Sequence, residues 1–336
     1  MLLILYPAGV NWFYETLAHH VRDELALQGH DSRLITPAEF VGPPIENAGD
    51  ADHILIINLF ECAHSIGGPI GGNARSTDAL KILRDRLPRF NRRILLMLDG
   101  IYTSWFSAQM TVAAGTLTDV FDLCMVPQTG RPTLGGCRYT WIQESLTRYE
   151  REHRVEHEVD RPLVWSMVGH ATRDRADVAN VLAHSLSPSG FVFMPGLRPF
   201  YQEGSQNLSA EALDRVLRKT RYYVWTSHHR VPYHEGLRSL HAIRNGAIPV
   251  KIDPLFAHVF RDIPWVYPSV TAFTQTIDKI GEQAMFQRSL QFALDRGTLG
   301  EHLARALYGG PKAMSQEPEN VEAHTGPAAA LAGASR

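Results

Sequence analysis

Along the first third of the chain, short apolar runs alternate with stretches in which apolar positions recur every three to four residues. That alternation predicts β-strands at 2–6, 32–35, 54–60, 93–99 and 121–126 with helical crossovers between them, the pattern of βαβ units and a parallel sheet. Between the first two strands Asn11 stands as a helix N-cap. Phe13, Leu17, Val21 and Leu25 then line one face at four-residue intervals, and Gly29 supplies the stop. The fourth strand, Arg93 to Asp99, is almost wholly apolar, as a strand covered on both faces requires. It ends on a carboxylate, which points Asp99 at the crevice above the strand ends.

From Leu146 to Pro162 the pattern gives way to dense charge, which predicts a solvated linker or helix between two domains. A second α/β series follows, with strands at 163–168, 191–194, 222–227, 247–252 and 265–267 and helices near 174–186, 209–220, 235–245 and 284–307. Residues 311–336, rich in Pro, Ala, Glu, Gly and Ser, read as a disordered tail. The expected division is therefore 1–150, 151–310 and the tail. Two Rossmann-like α/β domains, each an open parallel sheet, place a ligand crevice at both sets of strand ends and a cleft between them.

Composition narrows the classes. At 336 residues with 44% hydrophobic and 20% charged positions, the chain has the make-up of a folded globular protein, and no run approaches the eighteen or so apolar residues of a membrane helix. Lys and Arg number 33 against 35 Asp and Glu, a net charge of −2, so a global basic field for nucleic acid is not expected. Cys62, Cys124 and Cys137 sit in unrelated contexts, which indicates neither a disulfide framework nor a cysteine-rich zinc site. With Met1 to Tyr6 read as a strand and not a secretory signal, a cytoplasmic location is expected.

The chemistry concentrates in Tyr222 to Val250: an aromatic strand, a loop with His228, His229, Arg230, Tyr233 and His234, a helix opening near Glu235, a stop at Gly246 and a new strand entered through Pro249. A helix N-terminus at a strand end offers free N–H groups and partial positive charge, the makings of a phosphate site. The segment Gly236-Leu-Arg238-Ser-Leu-His241-Ala242-Ile-Arg-Asn-Gly246, followed by Pro249-Val250, resembles the pattern Gly-x-Arg-x-x-Glu-Ala-x-x-x-Gly of GT-B glycosyltransferases of the spore-maturation-type group. More loosely it resembles the C-terminal domains of exostosins and fucosyltransferases. Val164 to Arg173, and Asn207-Leu-Ser-Ala, resemble the donor-domain strand with its basic loop, and a helix start.

The resemblance implies a GT-B fold, a nucleotide-sugar donor on the C-terminal domain and an acceptor of unknown kind on the N-terminal one. It implies donor contacts at Gly169, Arg173, Ser227, His228, Tyr233, His234, Glu235, Arg238 and His241. The last stands where those enzymes place a ribose-holding Glu, and imidazole offers a single acceptor or donor in place of two oxygens. Charge growing on a leaving diphosphate needs fixed positive groups, for which Arg173, Arg238 and the helix terminus are the candidates. Neither metal nor cofactor is expected, since Asp50-Ala51-Asp52 precedes a strand instead of following one. Glu61, His64 and Asp99, at or beyond N-domain strand ends, are the candidate bases for an acceptor hydroxyl. A silent binding subunit and a sugar-nucleotide epimerase or hydrolase remain as other readings of the same fold.

Overall fold

The structure, a computed structural model, describes residues 1–42, 51–59, 61–62, 65, 81–98, 115–123, 133–134, 136–196, 208–227 and 230–309. In the first half, β1 (Leu2–Leu5) pairs in parallel with β2 (Ser32–Ile35) and β3 (His53–Ile57); β4 (Arg92–Met97), β5 (Asp119–Asp122) and β7 (Cys137–Trp141) continue the sheet in parallel. A short β6 (Thr133–Leu134) closes the edge antiparallel to β7, giving the order β2-β1-β3-β4-β5-β7-β6 among the described residues. The sequence pattern missed that terminal hairpin. Alternation sorts the side chains: Leu3, Leu5, Ile54, Ile56, Leu95 and Met97 pack on one face, Leu2, Ile4, Leu55, Ile57, Ile94 and Leu96 on the other.

Helix α1 (Trp12–Leu27) starts at Asn11, whose side chain accepts from the Phe13 amide, and lays Leu17, Val21 and Leu25 on that second face as its spacing predicts. A short α2 (Pro37–Val41) is held by a capping box between Thr36 and Glu39. The charged stretch is less solvated than its composition suggests. After α3 (Arg148–Glu152) the chain runs extended with His157 and Arg161 buried, because Arg161 donates to the carbonyls of Leu217, Thr220, Asn245 and Glu156.

The second sheet joins β8 (Leu163–Val168), β9 (Gly190–Phe193), β10 (Thr220–Trp225), β11 (Ile248–Ile252) and β12 (Val266–Tyr267), all parallel, in the order β12-β11-β10-β8-β9. Helices α4 (Arg173–Ser185), α5 (Ala210–Arg218), α6 (Gly236–Arg244) and α7 (Val270–Ile280) accompany it. The single long helix expected at 284–307 is two, α8 (Glu282–Leu294) and α9 (Leu299–Tyr308); Thr298 caps the second one afresh. That break lets α9 cross back, and Leu299, Leu303 and Leu307 join the core of the first half beneath α1. Among the described residues no helix is long and apolar enough to cross a membrane.

The carboxyl ends of the two sheets face each other. Trp12, just beyond β1, donates its indole N–H to the Leu208 carbonyl at 2.9 Å, and the Tyr233 hydroxyl donates to the Leu98 carbonyl, just beyond β4, at 3.2 Å. These contacts mark the walls of an interdomain cleft.

Candidate functional site

In the second sheet the chain leaves β8 toward β9 on one side and reaches β10 on the other, so strand order reverses between β8 and β10. Open α/β sheets bind ligands at such a switch point, beyond the carboxyl ends of the strands. Four segments converge there: Val168-Gly169-His170 at the end of β8, Thr226 after β10, and the first turns of α4 and α6.

Helix α4 is capped by Thr172, whose side chain accepts from the Arg175 amide. This start fixes which arginine faces inward. Arg173, the first helical residue, has a side chain 93% exposed and pairs at 3.9 Å with Asp177 on its own helix. Arg175, two residues later, continues the buried stripe of Ala179 and Leu182 and is 1% exposed. Its guanidinium donates to the carbonyls of Thr226 at 3.2 Å and His170 at 2.9 Å. Its Nη2 is buried with no hydrogen-bond partner among the described residues. Gly169 makes room for it: φ is +153°, and a Cβ there would lie 2.6 Å from Arg175 Nη1.

Arg238 lies on the other side of the same crevice. Its Nε pairs with Glu235 at 3.0 Å, and Nη1 donates to the Val168 carbonyl and the Tyr223 hydroxyl, each at 2.9 Å. Burial opposes its charge, but Tyr223 and Glu235 outweigh burial and raise its pKa. Arg175 is lowered by burial first and by Arg238 second, the signature of two like charges held close. Burial together with both arginines also lowers the pKa of His170, which keeps that ring neutral. Among the described residues, two guanidinium groups and one carboxylate therefore leave a net positive charge in the crevice, to which an anion is the complement.

The other expected donor contacts divide. Glu235 is the N-cap of α6, yet its side chain makes no cap bond with the helix and serves Arg238 instead. Tyr233 is 8% exposed and spends its hydroxyl on Leu98, bridging the domains. His234 is turned inward, where its Nε2 accepts from the Trp265 indole at 3.1 Å; burial and the neighbouring Lys251 and Arg296 charges push its pKa well down. Lys251 itself is wholly buried, paired with Asp253 at 2.9 Å and bonded to the Tyr233 carbonyl, so it anchors the loop from beneath. His241, on α6, is engaged elsewhere: Nε2 meets Asp214 at 2.6 Å and Arg244 at 3.1 Å, and Trp12 packs edge-on at 5.9 Å. Burial lowers the His241 pKa despite Asp214. Ser227 follows Thr226 at the edge of the crevice, and His228 lies outside the described residues.

Of the expected bases, His64 and Asp99 also lie outside the described residues. Glu61 sits in the turn beyond β3, its amide bonded to Asn58 Oδ1 at 3.1 Å. Asn58 closes β3 with φ +54°, an αL conformation uncommon outside glycine, and donates to the Tyr14 hydroxyl at 2.8 Å. Among the described residues no group of three or more His, Cys, Asp or Glu is arranged to hold a metal ion. Sequence reasoning missed Arg175, although its place four residues before Ala179 and seven before Leu182 set it on the buried face.

No family model and no curated protein matches this chain. Among solved structures it is similar to a DNA-modifying enzyme, β-glucosyltransferase, solved in the presence and absence of uridine diphosphoglucose; the match covers 91% of this chain and 99% of that one at 7% identity, with a TM-score of 0.56. The glycosyltransferase SnogD from Streptomyces nogalater matches over 91% and 97% at 13% identity, with a TM-score of 0.35. The fold is thus that of GT-B glycosyltransferases: two parallel-sheet α/β domains across a cleft.

Proposed function

We propose that this chain transfers a glycosyl group from a nucleoside-diphosphate sugar to an acceptor nucleophile, without a metal ion. The observation that carries the reading is Arg175: a guanidinium buried at the switch point of the second sheet, hydrogen-bonded among the described residues to carbonyls alone, with a second arginine across the crevice. A pair of such cations that shares the single Glu235 carboxylate is costly unless a ligand supplies further counter-charge. A diphosphate supplies it and presents oxygens to a planar donor fork.

In the proposed reaction the acceptor oxygen bonds to the anomeric carbon while the bond from that carbon to the diphosphate breaks. The electron pair leaves on the diphosphate, where Arg175 and Arg238 meet the growing charge from fixed positions. The acceptor proton passes to a base from the first domain, for which Glu61, His64 and Asp99 are the candidates. Uridine diphosphoglucose is the first donor to test, given the ligand of the similar enzyme. Nucleoside diphosphate release should be followed with a panel of sugar nucleotides and acceptors, DNA included, in chelator. Release dependent on both donor and acceptor supports the reading. Binding without release favours the silent binding module, the reading suggested by His241 being engaged by Asp214; conversion of the donor alone favours an epimerase or hydrolase. Failure to bind any nucleoside diphosphate contradicts the proposal.

A further inference from the structure

The α6 N-terminus carries a second polar feature that the arginines do not explain. Glu144, in the segment that leaves β7 and runs between the domains, inserts its carboxyl into the first turn of α6. A Cβ on Gly236 would lie 1.5 Å from Glu144 Oε2 and 2.4 Å from its Cδ, so only glycine admits this approach. The Leu237 amide hydrogen-bonds the carboxyl, filling the role that the N-cap side chain of Glu235 leaves vacant. Oε2 is out of contact with solvent and has no hydrogen-bond partner among the described residues.

We propose that Glu144 is a positioning residue for the donor helix: from the interdomain segment it clasps the first turn of α6 and thereby holds Arg238 opposite Arg175. The inference rests on the donor reading of that crevice. The clasp works as a neutral acid. Burial raises the Glu144 pKa well above the ordinary carboxylate range, and the Asp122 carboxylate at the end of β5 and the Glu235 carboxylate push the same way; the Leu237 amide and Arg296, from the turn between α8 and α9, oppose them without prevailing. His234 also faces this point, with Nδ1 3.1 Å from the position of a Gly236 Cβ. Its Nε2 accepts from Trp265, which leaves the ring proton on Nδ1 and the ring uncharged.

A group whose folded pKa is raised binds its proton more tightly when folded. Its contribution is therefore full below the ordinary carboxylate pKa and shrinks as pH rises toward the folded value. Glutamine keeps the shape and the amide acceptor but cannot ionise. Uridine diphosphate affinity and backbone amide exchange at 236–239 should be measured between pH 6 and 9 for the full chain, Glu144→Gln and Glu144→Ala. The expected result is roughly tenfold weaker binding and faster exchange in Glu144→Ala at every pH. The wild type should lose affinity as pH rises, and Glu144→Gln should keep the low-pH affinity throughout. Wild-type affinity and exchange in Glu144→Ala overturn the proposal, and so does a Gln variant that behaves like the Ala one. If the wild type binds no nucleoside diphosphate, the donor reading fails, while exchange in the ligand-free variants still decides whether Glu144 holds the helix.

Discussion

Two arginines, Arg92 half-buried in the first domain and Arg175 buried in the second, are treated in opposite ways. Arg92, at the start of β4, pairs with Asp119 at 3.0 Å, donates to the last carbonyls of α9 at Leu307 and Ala306, and lies over the Phe121 ring at 5.5 Å. Its charge is answered by a carboxylate from within the chain, although its Nε has no hydrogen-bond partner among the described residues. Arg175, at the switch point of the second sheet, has two carbonyls, an Nη2 without a hydrogen-bond partner among the described residues, and another arginine close enough to lower its pKa, opposed by the Glu235 carboxylate that also pairs with that arginine. A compensated charge holds a fold together. Two that share a single carboxylate in a crevice are set for an anionic ligand, and the difference separates a structural arginine from a functional one.

The comparison breaks first, and hardest, at Asp119. Asp119→Ala leaves the half-buried Arg92 without its carboxylate and should cost about 3 kcal/mol of stability. Denaturant titration measures the loss, and the uridine diphosphate affinity of the molecules that remain folded should not change. A matching fall in affinity would mean that the two regions are not independent. The pH dependence sharpens the point. Burial opposes the Asp119 charge, but hydrogen bonds from Arg92, Thr118 and Arg138 prevail and lower its pKa. Its contribution is thus present above the ordinary carboxylate pKa and lost as pH falls through the lower folded value. Asp119→Asn should lack that acid limb in a series of melting curves.

Arg238 stands between the two cases, being compensated by Glu235 yet facing the crevice. Arg238→Ala should cost about 2 kcal/mol of stability because a buried carboxylate loses its partner, and it should weaken diphosphate binding as well. The double variant Glu235→Gln with Arg238→Met should recover the stability and not the binding. Recovery of both would remove Arg238 from the site. The smallest effect belongs to Arg173: as an exposed side chain, its replacement by Ala should change stability by less than about 0.5 kcal/mol and leave affinity alone. Weakened binding would show that the exposed arginine reaches the ligand after all.

The fold was legible where the physics is local. Strands such as Ile54–Ile57 and Leu95–Met97 are buried on both faces, and nothing but an apolar run satisfies that position. Helix α7 was legible and overlooked: Ser269 caps it, and Val270, Phe273 and Ile277 trace one face beneath a run of β-branched residues that reads as strand. The break after Leu294 depends on how α9 docks under α1, a contact nearly 300 residues away from its partner in sequence, as the bond from the Gly300 amide to Glu24 shows with a separation of 276. The site was half legible. The motif at Gly236–Gly246 located the helix, but the choice between Arg173 and Arg175 turns on Thr172 setting the helix start, a shift of two residues that exchanges solvent for crevice. Glu144 carries no motif at all; only the closeness of Gly236 across the domains reveals it.

The central claim, that the second sheet holds a buried cation prepared for a diphosphate, is tested most directly by calorimetric titration of uridine diphosphate into the wild type and Arg175→Met in chelator, with melting curves of both. The account predicts that methionine, which fills much of the space without the charge, weakens binding by about 1.5–3 kcal/mol and leaves the ligand-free protein as stable as the wild type or more so. Unchanged affinity with the fold intact, or a loss of stability as large as that of Asp119→Ala, would contradict it.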